Sequence, residues 1–277
     1  MPVIALTQGM GSLAQDIAEQ LAQELNLSIL HHEVADRVAD KMHISKSLIN
    51  RLRGGSAGPI ERLRADREAI AVYTAEEVLE AAARGNVVLR GWGATCLLRP
   101  VPHVPCVRIM RPFEKRVQWL VHELDTDEVE VAEAEIRRSD HANATRMHEQ
   151  FGVNWGDPVL FDLVLNTERL SVETCVQQIK ALLARPEFAE TDASLALLRS
   201  MALQAHVRAA LRAHEATREV NILIEGVGDQ IVLRGIVVNA GERDAAGKVA
   251  AGVPGVTAVD NQLRVMAVSR LFPSPRA

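Results

Sequence analysis

Apolar and polar positions along the chain show two patterns, short apolar runs and helical periodicity. The pattern changes from one to the other at turns that contain glycine. Residues 3–6 (VIAL) form a short apolar run that leads into the turn 8–11 (QGMG), after which a helical pattern begins. In that helix, apolar residues recur at every fourth position and share one face: Leu13, Ile17, Leu21 and Leu25. The pattern predicts a strand, a turn and an amphipathic helix in succession.

The alternation of short apolar runs with helical segments continues to residue 184. The further strand-type runs are 27–30 (LSIL), 87–91 (VVLRG), 104–110 and 161–167 (FDLVLNT). The helical segments between and after them are 33–53, 69–84, 125–150 and 171–184, with a break at 54–59. Short apolar strands separated by helices favour a mostly parallel sheet that is covered on both faces.

The pattern changes again near residue 186. Residues 186–194 lack periodicity and are predicted to link a domain over 1–185 to a second domain over 195–277. The second domain shows the element order helix, strand, strand, helix, strand, at 195–214, 221–226, 230–235, 241–251 and 262–268. We therefore predict a small α+β domain of order αββαβ at the C-terminal end.

Composition and charge narrow the classes of function. The 277 residues are 48% hydrophobic and 24% charged, which is typical of a chain that buries a sizeable core. A net charge of −5 gives no basic surface for DNA or RNA, so no nucleic-acid partner is expected. The three cysteines lack metal-type or disulfide-type spacing and are expected to be reduced and mostly buried: Cys96, Cys106 and Cys175.

The first residues, MPVIALTQGMGSLAQ, have neither a basic segment nor a long apolar one, and no apolar run reaches about 18 residues. We therefore expect a cytoplasmic location. No set of side chains has the spacing of a metal site, because His31 and His32 lack a third ligand.

The turn between the first strand and the first helix is a candidate phosphate-binding loop. Gly9 and Gly11, together with the amides of Ser12 and Leu13, can curl around a phosphate at a helix N-terminus. Alternatively, the two glycines only form a tight turn. Ser12 is either a ligand of phosphate or magnesium, or an N-cap in a capping box with Gln15.

The charged helix at 125–150 carries the second group of candidate residues. Arg137, Arg138 and Arg146 either close over a ligand or belong to a solvated helix face. Asp140, which lies between them, either orients an arginine or merely pairs with it.

Three segments of the first domain resemble the cytidylate-kinase-like family of P-loop kinases. They are TQGMGSLAQDIAEQLAQELN, LRGWGATCLLRP, and RRSDHANATR through WGDPVLFDLVLNT, and together they span most of residues 3–183. The resemblance implies a P-loop kinase-like three-layer domain with a parallel sheet, a nucleotide ligand, and ATP with Mg²⁺ as cofactors of an active enzyme. It also implies that the glycine loop holds phosphates, that Thr167 precedes the turn that passes the adenine ring, and that a lid acts from the charged helix.

The chain departs from that family at several polar positions. The loop lacks the lysine of GxxxxGK[ST]. Leu13 and Ala14 stand where the family has glycines, and Gln15 stands where it usually has a basic residue. His31 replaces an aspartate, Trp92 an arginine that contacts the substrate phosphate, and Asn143 a lid arginine. Because phosphoryl transfer depends on positioned charge, these losses predict weakened catalysis.

The second domain is similar to BON domains. The matching residues are Gly226, Gly235, Gly255, Val256, Val259, Asn261 and Leu263. This resemblance implies attachment to a phospholipid or protein partner.

Two hypotheses for function remain open. The first is transfer of phosphate from ATP to a nucleoside monophosphate resembling CMP, or to another small acceptor. The second is a catalytically degenerate kinase-fold module that binds or regulates through its BON-like domain, at membranes or with a protein partner. The sequence leaves the oligomeric state open.

Overall fold

The structure is a computed structural model, and it describes residues 1–266 in two compact units, Met1–Leu198 and a second unit that starts at Arg199. Residues 267–277 of the predicted second domain, including the predicted strand end at Val268, lie outside the described residues. The boundary between the units falls inside one helix, and the linker over 186–194 stays a prediction.

The first unit contains a five-stranded sheet. Its strands are β1 (Val3–Gln8), β2 (Ser28–Leu30), β3 (Val87–Arg90), β4 (Cys106–Met110) and β5 (Leu163–Asn166). They pair in the order β2-β3-β1-β4-β5, and every pairing is parallel. The carboxyl ends of all five strands therefore lie at one edge, where parallel sheets of this type place their ligands.

The helices of the first unit alternate with these strands. They are α1 (Ala14–Leu25), α2 (Glu33–Met42), α3 (Lys46–Gly54), α4 (Pro59–Arg64), α5 (Arg67–Arg84), α6 (Ala94–Leu97), α7 (Phe113–Glu123), α8 (Val129–Phe151) and α9 (Val172–Leu183). Short 3₁₀ turns lie at Pro158–Leu160 and Pro186–Phe188. The predicted α/β domain with a parallel sheet is confirmed, and the predicted helix at 33–53 is divided into α2 and α3.

The core explains why the strands are apolar along their whole length. Ile4 and Leu6 of β1 pack against α1 and α9 on one face of the sheet, and both are fully buried. Val3 and Ala5 are buried as well, and side chains alternate between the two faces of a strand. Helices α5 and α6 contact β3 and β1. The sheet is therefore covered on both faces, as the continuous apolar run indicates.

The second unit is built from α10 (Asp192–Ala213), β6 (Ile222–Val227), β7 (Gln230–Val237), α11 (Ala240–Ala251) and β8 (Ala258–Val265). β6 pairs antiparallel with β7, and β7 pairs parallel with β8. Apolar side chains from all five elements form its core, including Val207, Ile222, Leu233, Ala246 and Leu263. The predicted order αββαβ is confirmed.

The predicted state of the cysteines agrees with the structure, in which Cys106 and Cys175 are buried, Cys96 is half-buried and all three are free thiols. Within residues 1–266, no helix combines the length and the hydropathy that crossing a bilayer requires.

Candidate functional site

The loop between β1 and α1 is held in an unusual backbone conformation. Gly11 has φ +76° and Leu13 has φ 61°, so both lie in the left-handed region, where a residue other than glycine is uncommon. A Cβ at Gly11 would lie 3.0 Å from the Trp119 ring. Left-handed backbone of this kind occurs in anion-binding nests, and within this loop the Ser12 N–H donates to the Gly9 carbonyl at 3.3 Å. α1 begins directly after this loop and adds its N-terminal dipole.

Ser12 is buried, and its hydroxyl has no hydrogen-bond partner among the described residues. The predicted capping box with Gln15 is wrong, because the N-cap of α1 is Leu13 and no side chain caps the helix. The left-handed turn at Leu13 moves Ser12 out of the capping position, and Gln15 instead donates to Glu19. The interpretation of Ser12 as a ligand of phosphate or magnesium is the alternative that remains.

A cavity of about 340 Å³ opens beside this loop. Three arginines line it from three different elements: Arg53 at the end of α3, Arg90 at the end of β3, and Arg146 on α8. Within residues 1–266, none of them forms an ion pair with a carboxylate. The Nε atoms of Arg53 and Arg90 are buried and unpartnered. The cavity thus brings three arginines together with one acidic residue, Asp16, in its lining.

The pKa values of these three arginines lie below the ordinary value for arginine. Burial lowers the pKa of Arg146 to about 10. The pKa of Arg53 falls well below its ordinary value through burial, then through the nearby charges of Arg146 and Arg90. Burial likewise lowers the pKa of Arg90. Burial is the largest cause of each shift, while the charges of Glu19 and Asp16 act on Arg90 in the opposite direction. A bound anion would favour the charged forms further.

Trp92 and His31 line the cavity next to Arg53. The Arg53 guanidinium carbon lies 3.3 Å from the centroid of the Trp92 ring, a cation–π contact. The Trp92 indole Nε1 donates to the carbonyl of His31 at 2.6 Å. The His31 Nδ1 lies 2.7 Å from the carbonyl of Arg90, and burial, followed by the charge of Arg90, lowers the pKa of His31 to about 4. His31 is therefore neutral near pH 7.

Arg116 of α7 lies against the glycine loop. A Cβ at Gly9 would lie 2.6 Å from the Arg116 Nη1, so a larger residue there would displace the Arg116 side chain. The same nitrogen donates to the carbonyl of Met10 at 3.3 Å. Two nitrogens of Arg116 also donate to the two carboxylate oxygens of Asp140, at 3.0 and 2.5 Å. Asp140 thus pairs with Arg116 beside the loop, and a role in orienting an arginine stays a prediction.

The sequence candidates occupy different places around this site. Gly9, Gly11, Ser12, Leu13 and Arg146 line the cavity. Arg137 pairs with Glu133 and Arg138 with Glu135 on their own helix, and neither arginine lines the loop cavity.

Thr167 is buried, and its hydroxyl donates to the carbonyls of Ser12 at 3.0 Å and Met110 at 3.2 Å. Thr167 thus binds the β1–α1 loop through the Ser12 carbonyl, and it does not line the cavity.

Three arginines of the site do not emerge from the motifs in the sequence: Arg53, Arg90 and Arg116. One signal was available for Arg90, which stands at the carboxyl end of a buried strand, where ligands bind in open α/β sheets. Arg53 stands next to a Gly-Gly break and Arg116 in a helix with no motif, so neither carries a signal of its own.

Comparisons with known proteins agree with this geometry. Residues 3–169 match the family model described as the cytidylate kinase-like family, and residues 201–267 match that of the BON domain. A cytidylate kinase of Ignicoccus hospitalis is 28% identical over 184 residues, which cover 66% of this chain and 99% of that protein. A cytidylate kinase of Pyrobaculum islandicum is 29% identical over 178 residues, covering 64% of this chain and 90% of that protein.

Among solved structures, an uncharacterized protein from Eubacterium ventriosum aligns with a TM-score of 0.53 at 17% identity, over 67% of this chain and 100% of that chain. At this identity the likeness concerns the fold alone.

Proposed function

The chain belongs to the cytidylate kinase-like family, and from this premise we propose that its first unit transfers the γ-phosphoryl group of ATP to a phosphorylated small acceptor. The β1–α1 loop holds the phosphates of the donor. Arg53, Arg90 and Arg146 hold the phosphate of the acceptor across the same cavity.

One observation carries this proposal. Three half-buried arginines without carboxylate ion pairs among the described residues, Arg53, Arg90 and Arg146, line one cavity with a glycine loop whose buried Ser12 hydroxyl is also unpartnered. Burying uncompensated charge is costly, so such a cluster indicates a site that is completed by an anionic ligand. The residues lost at Trp92 and Asn143 have counterparts here, because Arg53 lies on the Trp92 ring and Asn143 accepts a hydrogen bond from Arg146.

The residues present fit a nucleoside triphosphate with Mg²⁺. The left-handed residues Gly11 and Leu13 shape the loop as a nest, and Ser12 offers a hydroxyl to the metal or to a phosphate oxygen. Mg²⁺ is usually held by substrate phosphates, waters and one or two protein oxygens, so no larger protein cage is needed. Mg²⁺ would supply neutralisation of charge on the phosphate oxygens.

The proposed step balances as an in-line displacement. A phosphate oxygen of the acceptor forms a bond to the γ-phosphorus, while the bond between that phosphorus and the β–γ bridging oxygen breaks and ADP leaves with the electron pair. The arginines stabilise charge on the transferred group and keep the acceptor in line. His31 is neutral near pH 7 and adds no charge to the site.

Calorimetric titration with Mg·ATP, combined with an assay of ADP release in the presence of CMP and other nucleoside monophosphates, tests the proposal. Gly11→Asp places a carboxylate at the loop, where a Cβ already meets Trp119 at 3.0 Å. Gly152→Asp is the matched control, because Gly152 also has positive φ but open space around it. We expect binding in the parent and in the control, and none in Gly11→Asp.

Two other outcomes have distinct meanings. Absence of binding heat in the parent protein would overturn the nucleotide site altogether. Binding without ADP release for any acceptor would overturn transfer and support the degenerate binding module, for which a phospholipid or protein partner of the BON domain is the proposed output.

A further inference from the structure

A second cavity, of about 620 Å³, lies between α3, α5 and α8 of the first unit. Its wall is mainly apolar and includes Ile49, Leu52, Ile70, Ala71 and Ala142. This volume lies in the usual range of small-molecule sites, about 300–1,000 Å³. Apart from Arg53, which is shared with the β1–α1 loop site, and the charged-helix residues Arg138 and Arg146, the family resemblance gives no role to its lining residues.

The charged groups at the rim of this cavity are mostly satisfied within the protein. Arg67 donates to both carboxylate oxygens of Glu149, at 3.1 and 2.9 Å. Arg62 donates to the carbonyl of Gly55 at 2.5 Å, and Arg138 pairs with Glu135. These contacts leave the apolar wall as the main surface that the cavity offers to a ligand.

The end of the cavity nearest the loop site is different. Arg53 and Arg146 line both cavities, and neither is neutralised by a carboxylate of the described residues. The Arg146 Nη1 donates to the Arg53 carbonyl at 3.0 Å, which joins α8 to the end of α3 at this point. A ligand in the apolar cavity therefore has two half-buried arginines at one end.

We infer that this cavity binds the body of an anionic amphiphile, an apolar chain or ring system ending in a phosphate, with the phosphate on Arg53 and Arg146. The inference names a substrate class for the proposed function. It rests on that function only in identifying this ligand as the phosphoryl acceptor. Apolar area provides the affinity and the arginines fix the orientation, which is the usual division in small-molecule sites.

A nucleobase fits this wall less well. Proteins generally recognise unpaired bases by stacking on aromatic rings together with hydrogen bonds to the base edges. Among the described residues that line the cavity there is no Phe, Tyr or Trp. The wall therefore favours an aliphatic or small cyclic body.

A chain-length series of alkyl phosphates tests the inference on the full-length protein. Butyl, hexyl and octyl phosphate are titrated by calorimetry, with inorganic phosphate and octanol as the two half-ligands. If the chain enters the cavity, affinity rises about three- to fourfold for each added methylene. Octyl phosphate should also bind far more tightly than either half-ligand.

Two variants locate the site. Ala71→Phe fills the cavity and should flatten the chain-length series while leaving Mg·ATP binding unchanged. Ala83→Phe, on the same helix but outside the cavity lining, is its matched control. Arg146→Gln should weaken octyl phosphate binding about tenfold and leave octanol binding unchanged, because one of the two cations is lost. Thermal unfolding of each variant checks that it folds.

The outcomes separate this inference from the proposed function. A flat chain-length series in a parent protein that binds Mg·ATP overturns the inference and leaves the function standing. A steep series that Ala71→Phe abolishes, in a protein that does not bind Mg·ATP, supports the cavity and overturns the function. Tight CMP binding that Ala71→Phe weakens, without any chain-length effect, would assign the cavity to a nucleoside and overturn the inference.

Discussion

The guanidinium of Arg53 lies on the face of the Trp92 ring, 3.3 Å from its centroid, although the two residues are 39 positions apart in the chain. Trp92 has φ 58° and is fixed by its hydrogen bond to the His31 carbonyl. The family resemblance gives position 92 an arginine that contacts the substrate phosphate. In this chain a guanidinium lies against position 92 from α3 instead.

The contact between Arg53 and Trp92 predicts that moving the arginine from position 53 to position 92 partly restores ligand binding. Arg53→Leu should weaken binding of phosphate-bearing ligands at least about tenfold, because one charge-assisted hydrogen-bond donor is lost from a desolvated site. Adding Trp92→Arg to Arg53→Leu should restore part of that affinity. Calorimetry with the acceptor phosphate measures both. Failure of the double variant to recover any affinity, in a protein that is still folded, would contradict the replacement.

Replacing Ser12 should weaken ligand binding without lowering the stability of the fold. Ser12→Ala should leave the free energy of unfolding nearly unchanged or slightly raised, because the buried hydroxyl has no partner to lose. The same variant should weaken Mg·ATP binding. Ser171→Ala is the control with the opposite pattern: Ser171 accepts from the Thr174 amide as the N-cap of α9, so its loss costs about 1 kcal/mol. Urea unfolding and calorimetry check the pair.

Asp140 should matter more than the other acids of its helix. Asp140→Asn removes the carboxylate that holds Arg116, whose side chain is only 10% exposed, and should cost about 1–3 kcal/mol of stability. Glu133→Gln breaks the exposed pair with Arg137 and should cost under about 0.5 kcal/mol. Equal losses for the two variants in urea unfolding would show that the Arg116 pair is no more than a surface contact.

His31 predicts a specific acid sensitivity. Its pKa is about 4 in the folded protein, below the ordinary value of 6.5, so the unfolded state binds more protons between those pH values. Its contribution to stability is intact above pH 6.5 and is lost progressively as the pH falls toward 4, by about 3 kcal/mol at most.

The test compares parent and His31→Asn by urea unfolding at pH 7, 5.5 and 4.5, with His32→Asn as control. The difference in free energy between parent and His31→Asn should shrink as the pH falls. A constant difference would mean that His31 does not titrate in this window.

The second unit carries a conformational test. Gly235 has φ +147°, and a Cβ there would lie 2.9 Å from the carbonyl oxygen of Asn221. Gly235→Ala should destabilise this unit by about 1–3 kcal/mol. Gly252→Ala, at φ −78° and with ordinary contacts, should be neutral or mildly stabilising. Hydrogen exchange of the core amides in β6 and β7 reports the effect locally.

The sequence alone determined the architecture of both units. Apolar runs such as 3–6 and 87–89 can only be buried on both faces, and the helical patterns between them require parallel crossovers. The glycine loop and the charged helix were also readable, because local conformation and periodicity depend on near neighbours in the chain.

The tertiary structure decided how the charges of the site are arranged. The sequence could not show that Ser12 lacks a cap contact, since that follows from the left-handed backbone at Leu13. Nor could it show that Arg53 and Arg90 meet Arg146, while Arg137 and Arg138 pair along their own helix. Whether an arginine is solvated, paired or buried without a partner depends on neighbours contributed by distant segments, and only the packing of α3, β3, α7 and α8 brings those together.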